Sequence, residues 1–298
     1  MQALSRRQLV VLVLLTLVWG INWPIMKLGV SDFPPLTFRT LSMWIGLPFL
    51  ALVLVWRRVP FRIKRAHWRE VGVLTLFNML IWHTLVMLAI QTLSSGRTAI
   101  LGYTMPVFSA MVGAWWFGQR LAGRAWGGVA AAATGVVLLL WHEVTQLSGG
   151  PMGVALMLLA AVAWAFGTQM MRRTKLPEST LTISFWMTVI TMLWMTALAV
   201  VFEREAWKWP TLPVWSAIVY NALGVFAFAQ VAWLSLARDL PPIASTLSVM
   251  FIPVLGVFSG ALWLGEVLHW QDWAAVLLVI FAIATVLWPT RNAPPTPG

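Results

Sequence analysis

Ten apolar runs, each close to the length that crosses a bilayer, occupy almost the whole of this chain. Hydrocarbon roughly 30 Å thick takes about 20 helical residues. Lipid offers the backbone no hydrogen-bond partner, so each run has to be a helix. The runs cover residues 9–29, 35–56, 69–90, 96–117, 124–141, 152–171, 180–201, 214–236, 242–264 and 272–289. The expected fold class is an all-α integral membrane protein. Composition supports this: 60% hydrophobic against 10% charged residues, at a mean hydropathy of +0.83, is more apolar surface than a soluble chain of 298 residues can bury. The first run follows Arg6 and Arg7 as a signal peptide would. It continues, however, through Trp19, Gly20, Asn22 and Trp23 without a small-residue cleavage pattern, which makes it a retained span.

A net charge of +11 would suggest nucleic acid in a soluble protein. Here the Lys and Arg lie in short connections between apolar runs, no aromatic residues interleave with them for base stacking, and nucleic acid is not an expected partner. All of them except Lys27, Arg39, Arg97, Arg204 and Lys208 fall on the side of the N-terminus. Short basic loops stay cytoplasmic, so both termini are expected in the cytoplasm. The stretch from Arg57 to Arg69 is read as a topology anchor rather than a lipid-binding or docking element. The absence of Cys removes disulfides, thiolate metal sites and Cys nucleophiles together.

Sliding the chain by 147 residues superposes Gly20 on Gly167, Phe38 on Phe185, Pro106 on Pro253 and Val107 on Val254. The same gapless shift superposes Gly113 on Gly260, Trp116 on Trp263, Gly118 on Gly265, Leu121 on Leu268, Trp126 on Trp273 and Trp141 on Trp288. Coincidences of Trp, Pro and Gly are improbable by composition alone, so the halves are related. The division expected is residues 1–146 and 147–291 as two five-helix repeats, followed by a disordered tail over 292–298. Five is odd, so equivalent helices cross in opposite directions and the repeats are inverted. Two similar halves that can exchange conformations let a central site open to one face and then the other, which is a transporter's device.

Ten helices in a five-plus-five duplication, the segment Trp19-Gly20-Ile21-Asn22-Trp23-Pro24, and the paired segments Pro106–Leu121 and Pro253–Leu268 resemble the drug/metabolite transporter superfamily, in particular its EamA members. The most recognisable piece is Leu262-Trp263-Leu264-Gly265-Glu266, with Trp115-Trp116-Phe117-Gly118-Gln119 as its counterpart. On length, on the Trp-rich first helix and on the pattern of runs, the chain looks most like YddG-type exporters. That resemblance implies efflux of aromatic and other amino acids, or of related amphipathic metabolites, from cytoplasm to periplasm.

A polar side chain deep in a span faces the bundle interior or a wet cavity, because lipid gives it no partner. Asn22, Asn78, His83, Asn221 and Gln230 qualify, and the 147 shift places Asn22 over Gln169 and His83 over Gln230. A single such residue is explained by a hydrogen bond between helices. Two symmetric pairs point instead to a midplane site between the repeats. Trp19 and Trp23 flank Asn22, Trp82 adjoins His83, and Tyr103 and Trp164 lie in the fourth and sixth runs, where aromatic faces with polar tips suit an amino acid side chain. His83 is expected to donate a hydrogen bond to a carboxylate, with titration during transport as the alternative. Most of the 21 Trp belong to packing or to interfacial belts, the latter expected for Trp56, Trp68, Trp141, Trp209, Trp270 and Trp288.

Pro24, Pro48, Pro106 and Pro253 interrupt runs, and Pro24, Pro106 and Pro253 are the expected hinges, with a static kink as the alternative. Gly113 and Gly260 suit close helix contact. All nine acidic residues fall at helix ends or loops, which argues against an obligate proton/cation-drug antiporter, an intramembrane metalloenzyme and an aspartyl protease. The reading is a monomeric exporter rather than an enzyme, needing no cofactor or metal. Its partners are a small-molecule substrate and membrane lipid. A broad drug or amphipath exporter with a greasy pocket is the nearest rival, and a membrane enzyme or assembly factor the more distant one.

Overall fold

The computed structural model describes residues 6–119, 123–146, 151–230, 232 and 242–287. Outside it lie Arg120, Leu121, Arg238, Asp239, Trp288, Arg291 and the tail over 292–298. The side chains of Arg7 and Glu143 also fall outside the description. Among the described residues there are helices, turns and no strand. Ten helical spans follow one another: α1 (Arg6–Ser31), α2 (Pro35–Trp56), α3 (Arg65–Thr92), α4 (Ser95–Trp115), α5 (Gly123–Gln146), α6 (Pro151–Met171), α7 (Thr180–Phe202), α8 (Leu212–Ala229), α9 (Pro242–Leu264) and α10 (Trp270–Leu287). Eight have the length and apolarity to cross a membrane as described, and Met250–Leu264 and Trp270–Thr285 are shorter apolar stretches of α9 and α10.

Local chemistry explains where the helices start. Pro35 and Pro213 occupy first-turn positions, where a missing N–H costs nothing. Ser94 and Ser179 cap α4 and α7 by accepting from the N–H groups of Arg97 and Thr182. Glycine is required at two ends: Gly118 after α4 and Gly265 after α9 both have φ of 65°, a backbone that side-chain-bearing residues avoid. Each turn then closes in the same way, the Gln119 N–H donating to the Gly113 carbonyl and the Glu266 N–H to that of Gly260.

Three of the pairs related by the 147 shift, α2 with α7, α4 with α9 and α5 with α10, are antiparallel neighbours. At one end of α2, the N–H groups of Leu36 and Thr37 donate to Glu203 at the end of α7 (2.9 and 2.7 Å). At the other end, Thr182 and Trp186 near the start of α7 donate to the carbonyls of Pro60 and Phe61, just past α2. The start of α4 meets the turn after α9 through Ser95 and Glu266, and the end of α5 meets the start of α10 through the rings of His142 and His269. Packing follows the same symmetry, since α1 lies against α9 and α8 as α6 lies against α4 and α3. Small residues allow the close approach: Ala160, Ala161, Ala163 and Ala165 of α6 are all buried among its neighbours. Large apolar side chains such as Leu52, Val201, Leu262 and Leu277 stay exposed around the outside, as a lipid-facing surface requires.

Several expectations are corrected by this arrangement. Arg39 and Arg97 are buried inside the bundle rather than free in a connection, and Lys27 donates to the Ile90 and Gln91 carbonyls at the end of α3. Trp68 packs edge-on against Trp186 at 5.0 Å instead of joining a belt, whereas Trp56, Trp141, Trp209 and Trp270 are exposed at helix ends. Gly113 and Gly260 admit close neighbours from other helices, Gln169 of α6 and Ser95 of α4, and also the Gln119 and Glu266 side chains of the turns that follow them.

Candidate functional site

Helices α3 and α8 each contain a stretch wound with one extra residue per turn, Leu76–Leu80 and Tyr220–Ala229. These π segments stand at symmetry-related places. The Ile81 N–H reaches back to the Leu76 carbonyl and the Gln230 N–H to that of Val225. Such bulges rotate the following residues relative to a regular helix and concentrate at functional sites. Here they lead into His83 and Gln230, and nothing in residue periodicity announces them.

Both residues line a cavity of about 260 Å³ bounded by helices from each half. The size suits a small molecule. Seven of the eight expected binding residues lie on its wall: Trp19, Asn22, Trp23, His83, Tyr103, Trp164 and Gln230. The eighth, Gln169, is buried but absent from the wall. Its Nε2 donates to the Ser109 carbonyl and hydroxyl (2.6 and 3.0 Å) and its Oε1 accepts from Arg173 (2.6 Å), so the amide ties α6 to α4. The symmetry pairing of Asn22 with Gln169 thus holds in sequence and not in position on the wall.

Aromatic contacts shape the walls. Trp23 meets Tyr103 edge-on at 6.3 Å between centroids, Trp82 meets Trp164 at 4.5 Å, and the His83 ring lies 5.7 Å from Phe226. At one end the wall consists of half-buried residues from the α6–α7 turn and the end of α8, namely Met171, Thr180 and Gln230. At the other it is made of Met26, Arg39 and Val86, all buried. Among the described residues the more exposed, open end of the wall is thus the one toward the α6–α7 connection, and the buried, closed end is the one toward Lys27.

Three buried side chains on the wall leave hydrogen-bonding atoms without a partner, Asn22 Oδ1, His83 Nδ1 and Arg39 Nε. Unmet polar atoms in a roomy, largely apolar cavity are groups that a solute can satisfy. Arg39, Ser184 and Met187 also line the cavity and were missed by sequence reasoning. Arg39 stands one turn inside the start of α2, where a positive charge reads as a helix-end signal. Among the described residues no group of three His, Cys, Asp or Glu side chains could hold a metal ion.

The prolines differ in setting. Pro24 and Pro253 lie inside continuous helices. Pro106 begins a new helical segment after a turn at Tyr103–Thr104, so α4 is broken where its mate α9 is not. Thr104 bridges the break, its hydroxyl donating to the Leu101 carbonyl at 2.5 Å.

The sequence model of the EamA-like transporter family matches this chain twice, over residues 7–141 and 151–288. Among curated relatives, "Uncharacterized transporter YoaV" of Bacillus subtilis is 25% identical over 84% of this chain and 86% of its own length. "Uncharacterized inner membrane transporter YedA" of Escherichia coli K12 is 27% identical over 91% of this chain and 88% of its own. A "Probable amino-acid metabolite efflux pump" of the same strain is 24% identical over 93% of each. A solved crystal structure shares the fold with a TM-score of 0.67 at 19% identity, covering 95% of this chain and 98% of the other.

Proposed function

This chain belongs to the EamA-like transporter family and is a multi-pass membrane transporter, and from that premise we propose that it exports neutral amino acids, aromatic ones included, or closely related small metabolites. The observation that carries the reading is the cavity itself: aromatic walls drawn from both halves surround the unmet atoms Asn22 Oδ1 and His83 Nδ1. An amphipathic solute with one polar end and one apolar side chain fits both kinds of surface. Asn22, Trp19, Trp23, His83, Tyr103, Trp164 and Gln230 are its proposed contacts, and Gln169 supports the site from behind. A purely greasy drug pocket would leave the polar atoms unsatisfied.

Transport proceeds in this reading by alternating access between two halves, residues 1–146 and 147–291, around the central cavity. The membrane is a bacterial inner membrane, with both termini and the open end of the cavity in the cytoplasm, because the basic connections lie there. An exporter loads from that side. The similarity to a relative described as an amino-acid metabolite efflux pump supports the direction and the substrate class. The narrower likeness to YddG-type exporters rests on the first helix and the run pattern.

Counterflow of radiolabelled amino acids into liposomes containing only this protein tests the proposal. Flux of at least one neutral amino acid above protein-free liposomes is expected, and no flux for any of them sinks it. His83→Ala and Gln230→Ala should each lower flux about tenfold or more while the protein still elutes as a folded species, the loss expected for one or two hydrogen bonds to a charged solute group. Unchanged kinetics in both variants would remove these two residues from the site.

A further inference from the structure

We propose that Arg39 is the carboxylate-binding residue of this cavity, holding the acidic end of the carried solute at the closed end. The inference rests on the transport reading above and narrows it to solutes that carry a carboxylate.

Arg39 is only 2% exposed and belongs to the cavity wall. Its Nη1 makes one long hydrogen bond, 3.3 Å, to Asn221 Oδ1. Its Nη2 points at the thioether of Met26, a weak acceptor, and its Nε has no acceptor. The guanidinium carbon stands 5.5 Å from the centre of the Phe226 ring. No carboxylate pairs with it among the described residues, and no Asp or Glu lines the cavity. A guanidinium keeps its charge and has five donors to satisfy. Buried charges are paired, and a charge inside a membrane protein that lacks a partner in its own chain faces a pathway or a ligand.

Arg97 provides the internal comparison. It is buried to a similar degree, 7% exposed, and the fold supplies its counter-ion: Nε donates to Asp272 Oδ1 at 2.7 Å and Nη2 to Oδ2 at 3.4 Å. The chain thus neutralises one buried arginine from within and presents the other, without a counter-ion, to the space where a solute enters. A carboxylate matches the planar fork of donors better than a halide does.

The rest of the wall extends the match. Asn22 Oδ1 is an acceptor with no donor, and an ammonium group supplies one. His83 faces the same Phe226 ring as Arg39. A guanidinium donor and an amide acceptor in one cavity are the two polar contacts that a zwitterionic α-amino acid needs, and the Trp82–Trp164 pair is a surface for its side chain.

Calorimetric titration of the purified full-length protein with L-phenylalanine, L-leucine and the carboxamide of each tests the assignment, with counterflow of the same amino acids run in parallel. Wild type should bind each acid about 10- to 100-fold more tightly than its amide, the range for a hydrogen bond to a charged group. Arg39→Gln should abolish that ratio, and Arg39→Lys should restore part of it. Equal affinity of wild type for acid and amide, with counterflow intact, overturns the role of Arg39 and leaves amino acid transport standing. A ratio that survives in Arg39→Gln does the same. Absence of both binding and counterflow overturns both readings. Should Arg39→Gln fail to fold, the wild-type comparison of acid and amide still decides.

Discussion

At the scale of single residues, burial and partner count separate structural charges from functional ones. Asp272 holds Arg97 and also accepts from the His269 N–H at 2.9 Å, which fastens α10 to α4. Replacing Asp272 by Asn removes the carboxylate from a buried cation and should cost about 3–5 kcal/mol, read as a lower melting temperature in detergent. Arg97→Met combined with Asp272→Leu should recover most of that loss, because the isolated charge is then gone. Both residues sit where hydropathy puts a helix end, so nothing in the sequence distinguishes them from Arg39. That distinction needs three-dimensional neighbours: one arginine meets a carboxylate 175 positions away in the chain, and the other meets an amide, a thioether and a ring.

Among elements, the connections on the open face are tied together. Glu178 before α7 accepts from His67 Nδ1 at 2.6 Å and from the Lys64 N–H at 3.3 Å, and Thr174 donates to Glu70. Partial burial pushes the Glu178 carboxyl up, but the His67 hydrogen bond, the Lys64 N–H and the charge of His67 hold it below the usual carboxylate range. A carboxyl whose folded value is depressed stabilises the protein above its ordinary unfolded value of about 4.5 and loses that contribution as pH falls through the folded value. The melting-temperature difference between wild type and Glu178→Gln should accordingly be present at pH 7 and shrink as the pH is taken below about 4.5. A difference that stays constant to pH 3 would mean that the carboxylate contributes nothing to stability.

The elements also show where sequence reading succeeds and where it stops. Helix number and boundaries were legible because lipid imposes one length and one secondary structure on every run. The antiparallel mates followed from the 147 shift and an odd helix count. Seven of the expected site residues reach the cavity: Asn22, His83 and Gln230 because polar groups within spans have few other places to go, and Trp19, Trp23, Tyr103 and Trp164 as its aromatic wall. Gln169 did not follow its symmetry mate, since Ser109 and Arg173 saturate its amide, and those partners belong to tertiary packing. The π segments at Leu76–Leu80 and Tyr220–Ala229 were equally invisible, because a one-residue change in winding leaves composition untouched.

For the whole molecule, the face toward Lys27 is fastened at several points. Lys27 ties α1 to α3, Glu203 caps α2, Glu266 caps α4, and the Arg97–Asp272 pair joins α4 to α10, all on the closed side of the cavity. The chain has no Cys, so a single introduced thiol reports accessibility directly. Met26 lies on the closed end of the wall, and in Met26→Cys its thiol should resist a membrane-impermeant maleimide added from the Lys27 face. Adding Lys27→Gln should speed that labelling several-fold by weakening one fastening of the closed state, a shift of about 1 kcal/mol. Equal labelling rates in the two backgrounds would mean that the Lys27 contacts do not help to hold this face shut.

The break in α4 at Tyr103–Thr104, set against the unbroken α9, gives the pair a second meaning. Two copies of one design occupy two shapes within a single molecule, so each serves as a template for what the other can become. Under the alternating access proposed above, exchanging the shapes, α9 interrupted around Met250–Phe251 and α4 drawn straight, describes the expected opposite-facing form. Spin labels spanning α9 could test that mirror form.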